Sequence, residues 1–141
     1  MVSMLEHTKV DGKPVLDLIK SGKLKKETLE NIVQRTKNGG AEIVKLLEKG
    51  SAFYAPAASG VEMAESYLKD LKKELPCAVY LDGEYGVKDL YAGVPVVIGN
   101  KGIEKVIEIN LSDVEKNNFD HSISAVKELF TAAKKIDPSL S

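Results

Sequence analysis

The chain has 141 residues, 43% of them hydrophobic and 29% charged, which is enough for one domain with a buried core. Twenty basic against twenty-one acidic side chains give a net charge of −1, which excludes the basic footprint of a nucleic-acid surface. A single cysteine (Cys77) excludes an internal disulfide, and no run approaches the roughly 20 apolar residues of a membrane span. With no signal-peptide pattern at its start, the expectation is a soluble, cytoplasmic protein with no membrane partner.

Residues 1–24 are weakly patterned: Asp11-Gly12 is a turn signal, and Pro14 to Lys20 suits a short helix. From Leu24 to Glu48 the spacing predicts one long helix, with Leu29, Ile32, Val33, Thr36, Gly40, Ile43, Val44 and Leu47 on one face. Gly39-Gly40 lies inside that run without breaking its phase, although each glycine costs about 1 kcal/mol relative to alanine. A close approach or a helix–helix contact there would explain both.

Gly50 to Leu75 organises the rest of the chain. Phe53, Ala57, Val61, Ala64, Leu68 and Leu71 recur at steps of three and four, predicting a second helix from about Phe53 to Glu74. Pro56 is tolerated only in a first turn, which fixes the start near Phe53 or Tyr54. The first turns carry Ala55, Ala57, Ala58, Ser59 and Gly60, small enough for a backbone or a flat ligand to lie against them. The helix dipole favours an anion at such a start, while close packing of two helices is the plainer account of the small residues.

Pro76 is expected to end that helix, and the period then changes. Cys77 to Leu81 reads as a strand closed by Asp82-Gly83, and Leu90 to Ile98 as a second with Leu90, Ala92, Val94, Val96 and Ile98 on one face. Pro95 makes the second strand an edge, bulged, or paired on one side at that point. Gly99-Asn100-Lys101-Gly102 is a hairpin turn, and Glu104 to Leu111 is the third predicted strand. Ser112 with Glu115 forms a capping box opening a last helix from about Asp113 to Ile136, with Phe119, Ile123, Val126, Leu129 and Ala133 inward. The order predicts an α+β fold, long helices packed on a three-stranded antiparallel sheet with a carboxy-terminal helix.

The polar inventory is thin. His7 and His121 are far apart, His121 reads as a solvated helix residue, and no spacing gives His7 a partner. There is no metal spacing, nucleophile elbow or phosphate loop, so neither a catalytic residue nor a metal ligand is assigned. Arg35 is the only arginine, and arginine's planar fork is the usual clamp for a carboxylate.

Five linked segments supply what composition does not: Asn38-Gly39-Gly40-Ala41-Glu42-Ile43-Val44, Gly50-Ser51-Ala52-Phe53-Tyr54-Ala55-Pro56-Ala57-Ala58-Ser59, Met63-Ala64-Glu65-Ser66-Tyr67-Leu68, Gly83-Glu84-Tyr85-Gly86-Val87-Lys88-Asp89-Leu90-Tyr91 and Gly93-Val94-Pro95. Together they resemble the carboxy-terminal half of NAD-dependent malate dehydrogenases of the lactate/malate dehydrogenase family. The resemblance implies one substrate-side domain over residues 1–141, α+β with an antiparallel sheet. It also implies that the family's amino-terminal Rossmann domain, its substrate arginines and its catalytic histidine are absent. Met1-Val2 matches the pair that follows that histidine, so His7 is not its equivalent.

Carried over by position, Ser51 and Ala52 match the bend that faces the substrate, and Pro56 the position that packs on the nicotinamide ring. The expectation is a malate dehydrogenase part that uses NAD, with malate and oxaloacetate as partners only together with the missing half, and that forms homo-oligomers. The alternative is a non-catalytic oligomerisation or interaction module.

Overall fold

A computed structural model describes residues 2–140. Met1, half of the Met1-Val2 match, lies outside them. The elements run β1 (Lys9–Val10), β2 (Lys13–Pro14), α1 (Val15–Lys20), α2 (Lys26–Leu47), α3 (Tyr54–Leu68), β3 (Lys73–Asp82), β4 (Lys88–Gly99), β5 (Gly102–Val106) and α4 (Asp113–Ile136). Two compact units divide the chain: one holds the residues up to Phe53 with Ser112–Phe119, the other Tyr54–Leu111 with the residues from Asp120 on.

In the first unit, Asp11 (φ +48°) and Gly12 (φ +76°) make the expected turn, and they close a two-stranded hairpin that periodicity had not separated from a loop. Val15, which opens α1, is almost fully buried. The long helix α2 passes unbroken through Gly39-Gly40 as the apolar phase requires. The close approach expected at those glycines is not found: among the described residues, leaving aside the chain neighbours and the adjoining helix backbone, no atom comes within 4 Å of a Cβ built on either. Only Leu29 of its apolar face is buried, and Ile32 is 53% exposed.

The opening of α4 begins as the capping box predicts. Ser112 Oγ and the Ser112 amide both donate to Glu115 Oε2, at 2.9 and 3.1 Å, and the Glu115 amide donates to Ser112 Oγ at 3.4 Å. Glu115 is itself buried, and its Oε1 accepts a 3.4 Å bond from the Glu6 amide. These bonds outweigh the burial that opposes its charge, and with the nearby His7 they hold its carboxyl below the ordinary carboxylate value.

In the second unit, β3, β4 and β5 form an antiparallel meander in that order. Cys77, Val79 and Leu81 of β3 and Leu90, Ala92, Val94, Val96 and Ile98 of β4 are buried on one face, the period of two read in the sequence. Ser66 ties α3 to this sheet: its Oγ donates to the Ile98 carbonyl at 2.7 Å and accepts from the Lys73 amide at 3.2 Å.

Three boundaries differ from the sequence reading by more than two residues. Helix α3 stops at Leu68, not Glu74. Asp70 and Lys72 take positive φ, and the Leu71 amide bonds back to the Ser66 carbonyl, so the chain turns into β3 well before Pro76. Pro76 lies within β3, directly opposite Pro95. Two opposed prolines are tolerable because at that pair neither nitrogen points at the other strand.

The third strand ends at Val106, not Leu111, and Pro95 is the cause. In register, Ile107 would exchange two bonds with Pro95; its amide does donate to the Pro95 carbonyl at 2.8 Å, but proline has no hydrogen to return. The Tyr85 hydroxyl takes over, donating to the Ile107 carbonyl at 2.6 Å and accepting from the Ile109 amide at 3.0 Å. Strand β4 is therefore central, and single-sided at Pro95. In α4, Ile123 is buried as expected, whereas Leu129 is 72% exposed and does not face inward.

Candidate functional site at the start of α3

The candidate site lies at the connection from α2 to α3. Helix α2 ends as Glu48 turns to φ +58°, and Gly50 takes φ +93°, a conformation that favours glycine. Ser51 is exposed and Ala52 half-buried just before α3, both in the first unit. Helix α3 begins at Tyr54, so Pro56 is the third helical residue and interrupts no internal bond. Pro56, like Ala55, Ala57 and Ala58, is exposed and belongs to the second unit. The chain itself thus holds all three sequence-predicted site residues within one short stretch.

The chemistry available there is limited. The first turn of α3 contains no acidic residue, which leaves its dipole uncancelled toward an anion. Pro56 brings no amide hydrogen, so the turn is a poorer anion cradle than an ordinary helix start. Ser51 supplies one hydroxyl, able to donate and accept; Ala52 supplies none. The small, exposed Ala55, Pro56 and Ala57 offer an apolar surface for a flat ring. The apolar face expected for α3 is bare: Phe53 is 55% exposed, Val61 68% and Leu68 78%.

The other candidate groups each have a setting of their own. Arg35 is committed to Glu42, Nε to Oε2 at 3.2 Å and Nη2 to Oε1 at 2.9 Å, on α2 itself. His121 is exposed on α4. His7 lies close enough to Glu115 to favour its charged form, a pairing that no sequence spacing reveals. Burial pushes the Cys77 thiol up, away from a reactive thiolate. Among the described residues no cluster of His, Cys, Asp and Glu is arranged to hold a metal ion, and no helix is long and apolar enough to cross a membrane.

With this geometry in place, comparison with known proteins is decisive. The model of the lactate/malate dehydrogenase alpha/beta C-terminal domain matches residues 1–136. The chain belongs to this family. It is 67% identical over all 141 residues to the malate dehydrogenase of Pelagibacter ubique, spanning 44% of that protein. Among solved structures, malate dehydrogenase from Salinibacter ruber is 42% identical with a TM-score of 0.90, covering 100% of this chain and 44% of the other. Malate dehydrogenase from Cryptosporidium parvum is 46% identical with a TM-score of 0.89, over 93% of this chain and 42% of that one. Lactate dehydrogenase from Eimeria maxima, solved with NADH and oxamate, is 42% identical with a TM-score of 0.91, over 96% and 42%. The chain therefore spans less than half the length of these relatives. At these identities the α+β architecture of the malate dehydrogenase C-terminal domain is common to them all.

Proposed function

We propose that this chain is the substrate-side part of a cytoplasmic, NAD-dependent L-malate dehydrogenase, and that by itself it neither turns over malate nor holds NAD tightly. The observation carrying this reading is the 67% identity along the whole chain to a malate dehydrogenase. The NADH and oxamate in the Eimeria lactate dehydrogenase support the same ligand classes, a nicotinamide and a small carboxylate.

The α3 start fits one end of such a cofactor. When bound, NAD supplies the hydride acceptor that converts L-malate to oxaloacetate. Pro56 and the neighbouring alanines would provide an apolar wall for a nicotinamide ring, and Ser51 a hydroxyl that orients a substrate carboxylate. Ala52 would shape that bend without bonding. The pyrophosphate end finds no seat here: among the described residues no glycine-rich turn joins a strand to a helix. By the family resemblance neither His7 nor His121 holds the catalytic position, and Arg35 is bound to Glu42. The proton transfer and the carboxylate clamp therefore fall to the Rossmann-bearing half.

The test compares the isolated chain with the same chain fused behind the nucleotide-binding half of the Pelagibacter protein, following NADH oxidation by oxaloacetate. The fusion is expected to be active and the isolated chain to stay at background. In the fusion, Ser51→Ala is expected to lower kcat/KM about 2- to 10-fold, the worth of one ordinary hydrogen bond. A folded but inactive fusion refutes the enzyme reading, and turnover by the isolated chain that His7→Asn abolishes refutes its inactivity.

We propose also that the bare apolar faces of α2 and α3 are covered by self-association, since monomers seldom leave such patches open. Light scattering that shows a clean monomer at high micromolar concentration would contradict this.

A further inference from the structure

The outer face of the β3–β4 ribbon carries a constellation unrelated to the α3 start. Tyr80 and Tyr91 are directly opposed in register, their rings edge to face with centroids 5.5 Å apart, and they are 46% and 65% exposed. The next opposed pair on this face is Ala78 and Gly93, both exposed, and a Cβ built on Gly93 meets nothing within 4 Å. Two exposed aromatic rings thus stand side by side on the sheet, with only small residues at the next pair along the ribbon.

The ribbon is irregular at this end. Leu81 pairs with Leu90 and Asp82 with Lys88, leaving Asp89 as the extra residue of a bulge, at φ +57°. That conformation is uncommon for a non-glycine residue. The Asp89 carboxylate meets the tip of the Tyr80 ring, where Oδ1 accepts the Tyr80 hydroxyl at 2.7 Å. Tyr80 needs no such partner for burial's sake, since the pair is solvated. A carboxylate has about four lone-pair sites, and this bond uses one. Asp82 lies on the same side, with Lys88 Nζ 3.6 Å from its Oδ1. The bond to Asp89 holds the Tyr80 phenol above its ordinary value, with burial and then the charges of Asp89 and Asp82 adding to it.

Exposed ring faces beside carboxylates are the chemistry that recognises a cation, above all a guanidinium, which stacks on aromatics and forks onto carboxylates. We propose that the exposed Tyr80–Tyr91 pair with Asp89 is a docking site for an arginine side chain of a basic polypeptide segment. The guanidinium would stack on an exposed ring face of the pair and bond the remaining lone pairs of Asp89. The proposal is independent of the dehydrogenase reading.

A fluorescein-labelled hexa-arginine peptide titrated into this chain at low salt tests it, with amide shifts mapping the site. Saturable binding that moves Tyr80, Tyr91 and Gly93 is expected, with no binding of hexaglutamate. Tyr91→Leu should weaken it at least fivefold and Tyr91→Phe less than twofold. Asp89→Gly, which accommodates the positive φ while removing the carboxylate, should also weaken it at least fivefold. Glu27→Gln on α2 controls for net charge and should change it less than twofold. Absence of saturable binding, retention of affinity in Tyr91→Leu or Asp89→Gly, or an equal loss in Glu27→Gln would each overturn the proposal.

Discussion

The β3–β4 stripe and the apolar faces of α2 and α3 are comparably hydrophobic in sequence, yet they end up in opposite environments. Leu81 and Val96 have no exposed surface, and Val94 has 3%. Ile32, Val61 and Leu68 are more than half exposed. The sheet closes its own account because antiparallel neighbours bring both strands' inward residues onto one face, within one compact unit. A long helix presents a stripe that only another element can cover, and most of the stripe on α2 and α3 finds none within the described residues. Self-sufficiency, then, is a property of the meander, while the helical faces stay largely exposed among the described residues.

The comparison breaks most visibly by truncation on each side of it. Leu81→Ala is expected to destabilise the chain by about 2–5 kcal/mol, because it opens a cavity in the sheet core. Leu68→Ala, at an exposed position, should stay within about 0.5 kcal/mol. Urea unfolding of the two variants decides it; similar losses would mean that the α3 face is covered in solution. Ser66→Ala comes next, with an expected loss of about 1–3 kcal/mol, since it strips the buried Ile98 carbonyl and the Lys73 amide of their shared partner. Loss of the Lys73 amide's protection from hydrogen exchange would accompany it.

The capping box of α4 should show a smaller effect with a defined pH signature. Ser112→Ala is expected to cost about 1 kcal/mol at neutral pH. The folded Glu115 carboxyl titrates below its ordinary value of 4.5, so its contribution is complete above that pH and is lost as pH falls through the lower folded value. Glu115→Gln should flatten that acid limb in a series of thermal melts, and an unchanged limb would contradict the assignment. The smallest effect sharpens the helical side. Gly39→Ala and Gly40→Ala should each stabilise the isolated chain by about 0.5–1 kcal/mol, because nothing among the described residues crowds either position. A loss of stability instead would show that a partner packs against them.

Much of this molecule is legible from residue spacing. The unbroken phase through Gly39-Gly40, Pro56 in a first turn, the alternation of β4 and the Ser112–Glu115 box each express a local rule, and each stands where the rule places it. The linked segments were enough to point to the family, while Ser51, Ala52 and Pro56 as site residues rest on that resemblance and on the small side chains around them.

Tertiary structure decided what depends on residues distant in sequence. The third strand stops at Val106 because Pro95, in another strand, cannot return a bond, and Tyr85 fills the place from a third segment. Helix α3 ends early because β3 must begin soon enough to oppose β4 along its length. Glu115 caps its own helix by a rule of four neighbouring residues, but its burial and its bond to Glu6 exist only once the amino-terminal segment lies against it. Hydrophobic period and capping are written in adjacent residues; the missing proline hydrogen, the bulge at Asp89 and the bare helical faces appear only when separate segments meet or fail to meet.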